Sequence, residues 1–228
     1  PDDKLGGRDY LRLDKTKDHA YRFDHAFGAG CTSQDIYHAC VQPVVRAVGQ
    51  GYHGSCFAYG ATGSGKTYTM MGESDAPGVM PMAVQELFDT AKRDDDYTWS
   101  CGLTYIEIYN ERVKDLLNPT GGTDLEVRED ARRGTHIQGA LEVSVGSLRE
   151  LMEYMQRGAL YRTTEATNCN AVSSRSHAVL QVTVQALEKY GDGGGKTKRL
   201  SELSLIDPAG SERAAKTDNR GQQLVGGR

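Results

Sequence analysis

Residues 60–67 read Gly-Ala-Thr-Gly-Ser-Gly-Lys-Thr, which fits GxxxxGK[ST], with a short apolar segment, Ser55–Tyr59, before it and a helix-compatible run after it. The spacing has a physical reason. Glycines let backbone N–H groups turn inward around a polyphosphate, and the N-terminus of the following helix adds partial positive charge. Gly60, Ala61, Thr62, Gly63, Ser64 and Gly65 supply that cradle. Lys66 can then reach the β/γ-phosphates, and the Thr67 hydroxyl can ligate Mg²⁺. A flexible glycine loop could spell the same pattern by accident, but the strand before it and the helical run after it give the context a nucleotide site needs.

Working outward, helical and strand patterns alternate. From Thr32 to Gly49 the residues Ile36, Cys40, Val44, Ala47 and Val48 share one helical face, with Thr32 or Ser33 as cap. Pro43 inside that run predicts a kink or a split. A second helix is expected from about Pro81 to Lys92, and residues 98–109 (TWSCGLTYIEIY) read as a long strand. Ser147 followed by Glu150 is a capping box, with Leu148, Leu151, Met152 and Met155 striped behind it. His177–Leu187 alternates as a strand, Gly191–Arg199 is a Gly/Lys turn, and Leu200–Ile206 is the next strand. One edge strand is expected near Tyr10–Leu13. Interleaved strands and helices point to an α/β sheet with helices on both faces.

Composition narrows the function classes. The 228 residues carry 27 Lys+Arg against 31 Asp+Glu, a formal charge of −4. That length suits one α/β domain with a substantial core, and the mild acidity argues against a nucleic-acid binder. The apolar runs are far shorter than the roughly 18 residues a bilayer span requires, so no membrane partner is expected. Residues 1–20 are polar and charged, without the apolar core of a signal peptide. Cys31, Cys40, Cys56, Cys101 and Cys169 form no CxxC pair and are odd in number, which disfavours a disulfide framework or a cysteine zinc site and fits a reducing cytosol.

Two further segments carry chemistry. Asp207-Pro208-Ala209-Gly210 ends the apolar strand Leu203–Ile206. A nucleotide site of this type needs an acidic group at a neighbouring strand end to hold Mg²⁺, often through water, and Asp207 is placed for it; the Gly210 amide can sense the γ-phosphate. Asn170-Ala-Val-Ser173-Ser174-Arg175-Ser176-His177 clusters hydroxyls and one Arg directly before a strand. It suits a loop that closes on phosphate and metal, and equally a polar loop carrying an ordinary cap.

Together these segments resemble the motor domain of a kinesin. AYGATGSGKTYTM (58–70) is similar to its P-loop (60–67 here), NAVSSRSH (170–177) to its switch I, and LIDPAGSER (205–213) to its switch II, with 207–212 at its centre. YIEIYNERVKDLL (105–117) and FDHAF (23–27) are further family blocks, so the resemblance runs through nearly the whole chain in order. Within the family it looks most like kinesin-8, on AYGATG, on RTTEATNCNAVSSRSHAVLQVTV (162–184), on SERAAKTDNRGQ (211–222) and on DYLRLDKTKDHAYRFD (9–24). The fold this implies is a P-loop NTPase three-layer sandwich, a mixed, mostly parallel central sheet flanked by helices.

Carried over position by position, the resemblance implies ATP and Mg²⁺ as ligands and ATP hydrolysis coupled to microtubule (tubulin) binding. Lys66 would hold the β/γ-phosphates; Thr67 and Ser174 would complete the Mg²⁺ shell, with Asp207 acting through water. Ser173 and Ser174 would close over the γ-phosphate, Arg175 and Glu212 would pair across the two switches, and Gly210 would report the γ-phosphate. Tyr68 reads as an adenine platform or as a buried Tyr between strand and helix. Plus-end-directed movement, microtubule-depolymerising activity, a coiled-coil dimer formed outside this chain and a place on the cytoplasmic cytoskeleton come with the family. Arg132, Arg133 and His136 sit in a loop resembling a track contact, Lys216 and Arg220 follow switch II, and Arg12, Lys15 and Lys17 lie in the lead-in; each also reads as a solvated charge.

The sequence departs from the family in places. It opens without the R-x-R-P-like strand and ends at Gly226-Gly227-Arg228, so it reads as a partial motor domain over 1–228, truncated at both ends. Pro208 stands where the family usually has Leu, and it either leaves the strand end undisturbed or stiffens the switch. A GTPase would share the P-loop and DxxG but would carry an NKxD-type guanine reader, which is absent; a helicase or AAA-type ATPase would show consecutive acids where Asp207 precedes Pro208. The remaining alternative is a non-motile nucleotide- or microtubule-binding fragment without productive turnover.

Overall fold

The structure, a computed structural model, describes residues 21–73, 75–120, 124–130, 134–164, 176–189 and 198–212. The first helical run is split as Pro43 predicts. Ser33–Ile36 (α1) passes through a π-helical segment, Tyr37–Val41, into Gln42–Gly49 (α2) with Pro43 in its first turn. A proline there removes one N–H from the ladder, and the widened turn absorbs the defect: Gln42 N–H reaches back to the Tyr37 carbonyl. Thr32 closes α1 with a reciprocal capping box to Asp35.

Strand Gly54–Phe57 (β1) leads through the glycine loop into Lys66–Met71 (α3). Gly72, at φ 79°, ends that helix, and the short hairpin Gly72–Glu73 (β2) with Ala76–Pro77 (β3) precedes Val79–Arg93 (α4). Tyr97–Tyr109 (β4), Arg112–Asp115 (β5), the hairpin Glu126–Asp130 (β6) with Gly134–Gln138 (β7), Val143–Val145 (β8), Leu148–Thr164 (α5), His177–Glu188 (β9) and Lys198–Asp207 (β10) follow. The Ser147 cap is realised with a shift: its hydroxyl accepts from Glu150 N–H, while the Glu150 carboxylate reaches Gly146 N–H instead of its own cap residue.

The main sheet runs β1-β10-β9-β4-β5, and β8 shares the β4 edge with β5. It is mixed, with flanking helices, as expected, but the balance differs from a mostly parallel sheet. Among the described strands only β1 and β10 pair in parallel; the β10–β9, β9–β4, β4–β5 and β4–β8 pairs are antiparallel. The β4–β5 pair is a hairpin. Asn110 and Glu111, at φ 50° and 60°, turn β4 directly back into β5, the backbone hand that two-residue hairpins favour.

Alternation puts Leu103, Leu180, Val182, Leu203 and Leu205 on one face of the sheet, and Val45 and Val48 of α2, Met70 of α3, Leu87 of α4, and Leu151 and Met155 of α5 pack in the same buried cluster. All four of these helices therefore lie on one face. The second helical layer of a three-layer sandwich is not among the described residues. The Tyr10–Leu13 strand and residues Arg12, Lys15, Lys17, Lys216 and Arg220 also lie outside them. The segment expected as a loop around His136 is the β6–β7 hairpin: His136 pairs with Arg128, and its Nδ1 stands 3.6 Å from Asp130, while Arg132 and Arg133 are outside the described residues. The hairpin escaped the sequence reading because its only apolar cross-strand pair is Val127 with Ile137, too little alternation to announce two strands.

Candidate functional site

The carboxyl ends of the parallel pair β1 and β10 meet, and chain leaving such ends is where α/β sheets gather ligands. Gly63 and Gly65 take φ of 78° and 89°, so both occupy the left-handed region that favours glycine. A side chain at Gly60 would come within 2.5 Å of Ser64 Oγ. Ser64 N–H donates to the Ala61 carbonyl at 3.1 Å, and Thr69 N–H to the Gly65 carbonyl at 2.9 Å, which closes the loop and starts α3. Lys66 folds back over the loop, its Nζ donating to the carbonyls of Gly60 and Ala61 at 3.0 Å each. Tyr68 lies one turn into the helix and is 49% exposed, which removes the reading of a buried Tyr.

Segment 207–212 docks onto this loop. Ser211 N–H donates to the Gly60 carbonyl at 2.9 Å, and Ala209 N–H to His177 Nδ1 at 3.3 Å. The Glu212 carboxylate accepts from Thr62 N–H at 2.9 Å and also from the Thr62 hydroxyl. Those bonds, the hydroxyl first, then its own backbone N–H and that of Thr62, pull the Glu212 carboxyl down to about 2. Gly210 has no room for a side chain, which would overlap Thr62 Oγ1 and the Glu212 carboxylate. Pro208 sits just past Asp207, the last residue paired in the β10–β9 ladder, so its missing N–H costs the sheet nothing.

Asp207 is the centre of the site. It is 2% exposed, its Oδ2 accepts from the Thr67 hydroxyl at 2.9 Å, and its Oδ1 is buried without a hydrogen-bond partner. A carboxylate hydrogen-bonded to the Thr67 hydroxyl, at the end of the strand beside the glycine loop, suits Mg²⁺, which uses one or two protein oxygens and completes its shell with water and phosphate. The residues present therefore fit that ion. Ser173, Ser174 and Arg175 lie outside the described residues, so the structure leaves their roles, and the Arg175–Glu212 pair, untouched.

Sequence reasoning missed what lies behind Asp207. In register, Asp207 of β10 and Glu107 of β4 both face Ala178 of β9 from either side. The small Ala178 leaves space for the Arg162 guanidinium, from the last turn of α5. Arg162 Nη1 donates to Asp207 Oδ2 at 3.0 Å, Nε to Ser176 Oγ at 3.1 Å and Nη2 to the Ser176 carbonyl at 2.9 Å. Glu107 Oε1 stands 3.7 Å from Arg162 Nε. A signal was available. Glu107 holds a core-phase position of β4, in line with Leu103 and Tyr105, and Arg162 falls on the buried stripe of α5 with Leu151, Met155 and Gly158. Charges at core-phase positions mark a buried network.

The kinesin motor domain family model matches residues 6–227. The kinesin-like protein KIN-8A of Oryza sativa subsp. japonica is 44% identical over 220 residues, covering 96% of this chain and 28% of the relative. The kinesin-like protein KIF19 of Homo sapiens is 40% identical over 220 residues, 96% of this chain and 22% of that protein. The solved structure of a fast kinesin superimposes with a TM-score of 0.81 at 38% identity, over 90% of this chain and 58% of that one. The chain thus spans less than a third of the length of these two relatives.

Proposed function

The chain belongs to the kinesin motor-domain family, and from that membership we propose that it carries the ATP-hydrolysing part of a microtubule motor, with the nucleotide held at residues 60–68. The observation that carries this reading is the hydrogen bond from the Thr67 hydroxyl to buried Asp207, which joins the phosphate-binding loop to the 207–212 segment. Mg²⁺ supplies charge neutralisation on the phosphates when bound. In this reading Thr67, Ser174 and, through water, Asp207 hold it.

The work of the protein here is positioning and charge, with no covalent intermediate needed. Backbone N–H groups of the loop and the Lys66 ammonium bind the β/γ-phosphates. Ser173 and Ser174 orient the attacking water, and Arg175 with Glu212 pairs the two switch segments. Gly210 passes its backbone close to Thr62, so a γ-phosphate arriving at the loop would be felt directly by the 207–212 segment. Ordering and release of such segments is how hydrolysis becomes movement. Microtubules are the partner in this reading, the cytoskeleton its location, and a coiled coil elsewhere in the protein its dimer contact. Kinesin-8 character, with plus-end movement and microtubule shortening, is the finer form of the proposal.

The test is phosphate release by the purified protein with ATP, with and without microtubules, beside Lys66→Ala. Turnover should rise with microtubules and fall about a hundredfold or more in the variant. Equal rates with and without microtubules in a folded sample would refute the motor reading. Turnover surviving Lys66→Ala would refute the site, and equal use of GTP would refute the nucleotide assignment.

A further inference from the structure

Cys40 and Cys56 are brought together by the helix and strand that precede the glycine loop. Contacts that advance along the sheet run backwards along α2. The Ser201 hydroxyl donates to the Val48 carbonyl at 2.7 Å, and one step further on Gly54, paired with Leu203, lies beneath both Val48 and Val44. A Cβ at Gly54 would come within 2.6 Å of Val44 Cγ1 and 2.9 Å of Val48 Cγ2, so helix and strand approach closely there. Cys56 is the next residue of β1 on that face, in register with buried Leu205. Two residues of strand advance about 6.6 Å and four of helix about 6 Å. Cys56 therefore sits beneath Val44 and Cys40 as Gly54 sits beneath Val48 and Val44. Burial first, and then the neighbouring Cys40, push the Cys56 thiol up. Cys40, on the π-helical turn, is exposed, and Cys56 is half-buried. Cys31 is the poorer partner: its thiol already donates to the Thr32 carbonyl at 3.3 Å, and desolvation and then the Asp35 charge hold it in the thiol form.

We propose that Cys40 and Cys56 form an oxidisable dithiol, closed to a disulfide by a hydroperoxide and reopened by thiols, that ties α2 to the strand feeding the phosphate-binding loop. The exposed Cys40 thiolate attacks one peroxide oxygen; the O–O bond breaks, the second oxygen leaves with a proton as water or alcohol, and Cys40 becomes a sulfenic acid. Cys56 then gives up its proton and attacks the Cys40 sulfur; the S–O bond breaks and the hydroxide leaves as water. The two sulfurs together lose two electrons, and one peroxide bond gains them. A reversible pair of this kind is the form a disulfide takes in a reducing cytosol. It needs Cβ atoms about 3.5–4.5 Å apart, which the close approach of α2 to β1 brings within reach. Closing the bond draws β1 towards α2. Cys56 stands four residues before Gly60, whose carbonyl accepts from both Lys66 Nζ and Ser211 N–H, so the strain reaches the loop at the point where its two partners meet. The effect on nucleotide rests on the proposed ATP reading; the cross-link itself does not.

The test treats the purified protein with hydrogen peroxide, caps free thiols with N-ethylmaleimide, cuts with trypsin and reads the peptides by mass spectrometry without reduction. Cleavage after Arg46 separates Cys56 from Cys40, which shares its peptide with Cys31. The expected product joins the two peptides through Cys40 and Cys56, with the loss of two maleimide-reactive thiols, and dithiothreitol reverses it. Cys56→Ser should leave Cys40 as a sulfenic acid that dimedone traps. In the same samples the affinity for a fluorescent ADP analogue should fall several-fold on oxidation, recover with dithiothreitol and stay constant in Cys40→Ser. A Cys31–Cys40 bond, a link between two molecules, or Cys40 oxidised past the sulfenic acid with no link overturns the pairing. A Cys40–Cys56 bond with unchanged affinity overturns the tie to the loop. A protein that forms the bond and binds no nucleotide, oxidised or reduced, overturns the ATP reading and leaves the pairing standing.

Discussion

Gly158 on α5 is the position where a single methyl group tests the packing that delivers Arg162. A Cβ built there lies 2.5 Å from Tyr105 Cδ1 and Cε1 and 3.2 Å from Leu116 Cβ, where ordinary contact begins at 3.4 Å. The shortfall against the ring is 3.4 − 2.5 = 0.9 Å. Tyr105 is 3% exposed and cannot swing aside into solvent, so the helix itself must give way. Helix propensity alone would favour Gly158→Ala by about 1 kcal/mol. Overpacking a tight interior costs about 1–3 kcal/mol, and because the added methyl meets two atoms of a buried ring and crowds buried Leu116 as well, the upper half of that range applies. The net expectation is a loss of about 1–2 kcal/mol, or roughly 2–8 °C in Tm for a chain of this size. Gly49→Ala is the control: on α2, its Cβ would meet Trp99 and Thr90 at 3.6 and 3.7 Å, so propensity should win and stability should hold or rise slightly. Urea melts of both variants, read at constant m, give the comparison. Adding Tyr105→Leu to Gly158→Ala should recover part of the loss through a favourable coupling. Arg162 lies one turn beyond Gly158, about 6 Å along the axis, so a helix pushed off Tyr105 should also disturb the Arg162–Asp207 bond. A Gly158→Ala protein more stable than wild type would refute the packing argument.

Two more outcomes follow from charge and burial. The Glu212 carboxyl is held at about 2 against an ordinary 4.5, so its bond to Thr62 is fully present above pH 4.5 and is lost only as pH falls towards 2; it does not change between pH 5 and 9. A carboxyl-carbon NMR titration should place its midpoint there, and Thr62→Val, which deletes the hydroxyl donor, should move that midpoint up towards 4.5; an unmoved midpoint would show that the hydroxyl is not the cause. Burial pushes the Cys101 thiol up to about 11, so at pH 8 about one molecule in a thousand carries the thiolate. Maleimide should therefore label exposed Cys40 promptly in the native protein and reach Cys101 only on unfolding, as peptide mass spectrometry would show.

The sequence was most legible where local chemistry is strict. The glycines of 60–65 have one use at that spacing, and the structure puts Gly63 and Gly65 in the backbone region that explains them. The long strands were legible because their alternation is clean over ten or more residues; β4 begins one residue before its expected start and β9 ends one residue after its expected end. The β4–β5 hairpin was not, because Asn110-Glu111 lacks the glycine that usually announces such a turn. Strand direction was not legible either, since pairing depends on connections and not on the pattern within a strand. The Arg162–Asp207–Glu107 network needs three elements, α5, β10 and β4, brought together across Ala178, and no local window contains it.

That network is a poor device for stability. Two carboxylates and a guanidinium withdrawn from water each cost several kcal/mol, and an apolar cluster of the same volume at the same place would commonly be as stable or more so. The surrounding residues would accept one: Tyr105, Ala178, Leu205 and Met155 already form an apolar core. What an apolar replacement could not do is present a fixed, half-satisfied carboxylate to the Thr67 hydroxyl at the mouth of the phosphate-binding loop. The buried arginine gives the end of β10 a fixed carboxylate, bonded on one oxygen to both Arg162 and Thr67, where an apolar cluster would leave none.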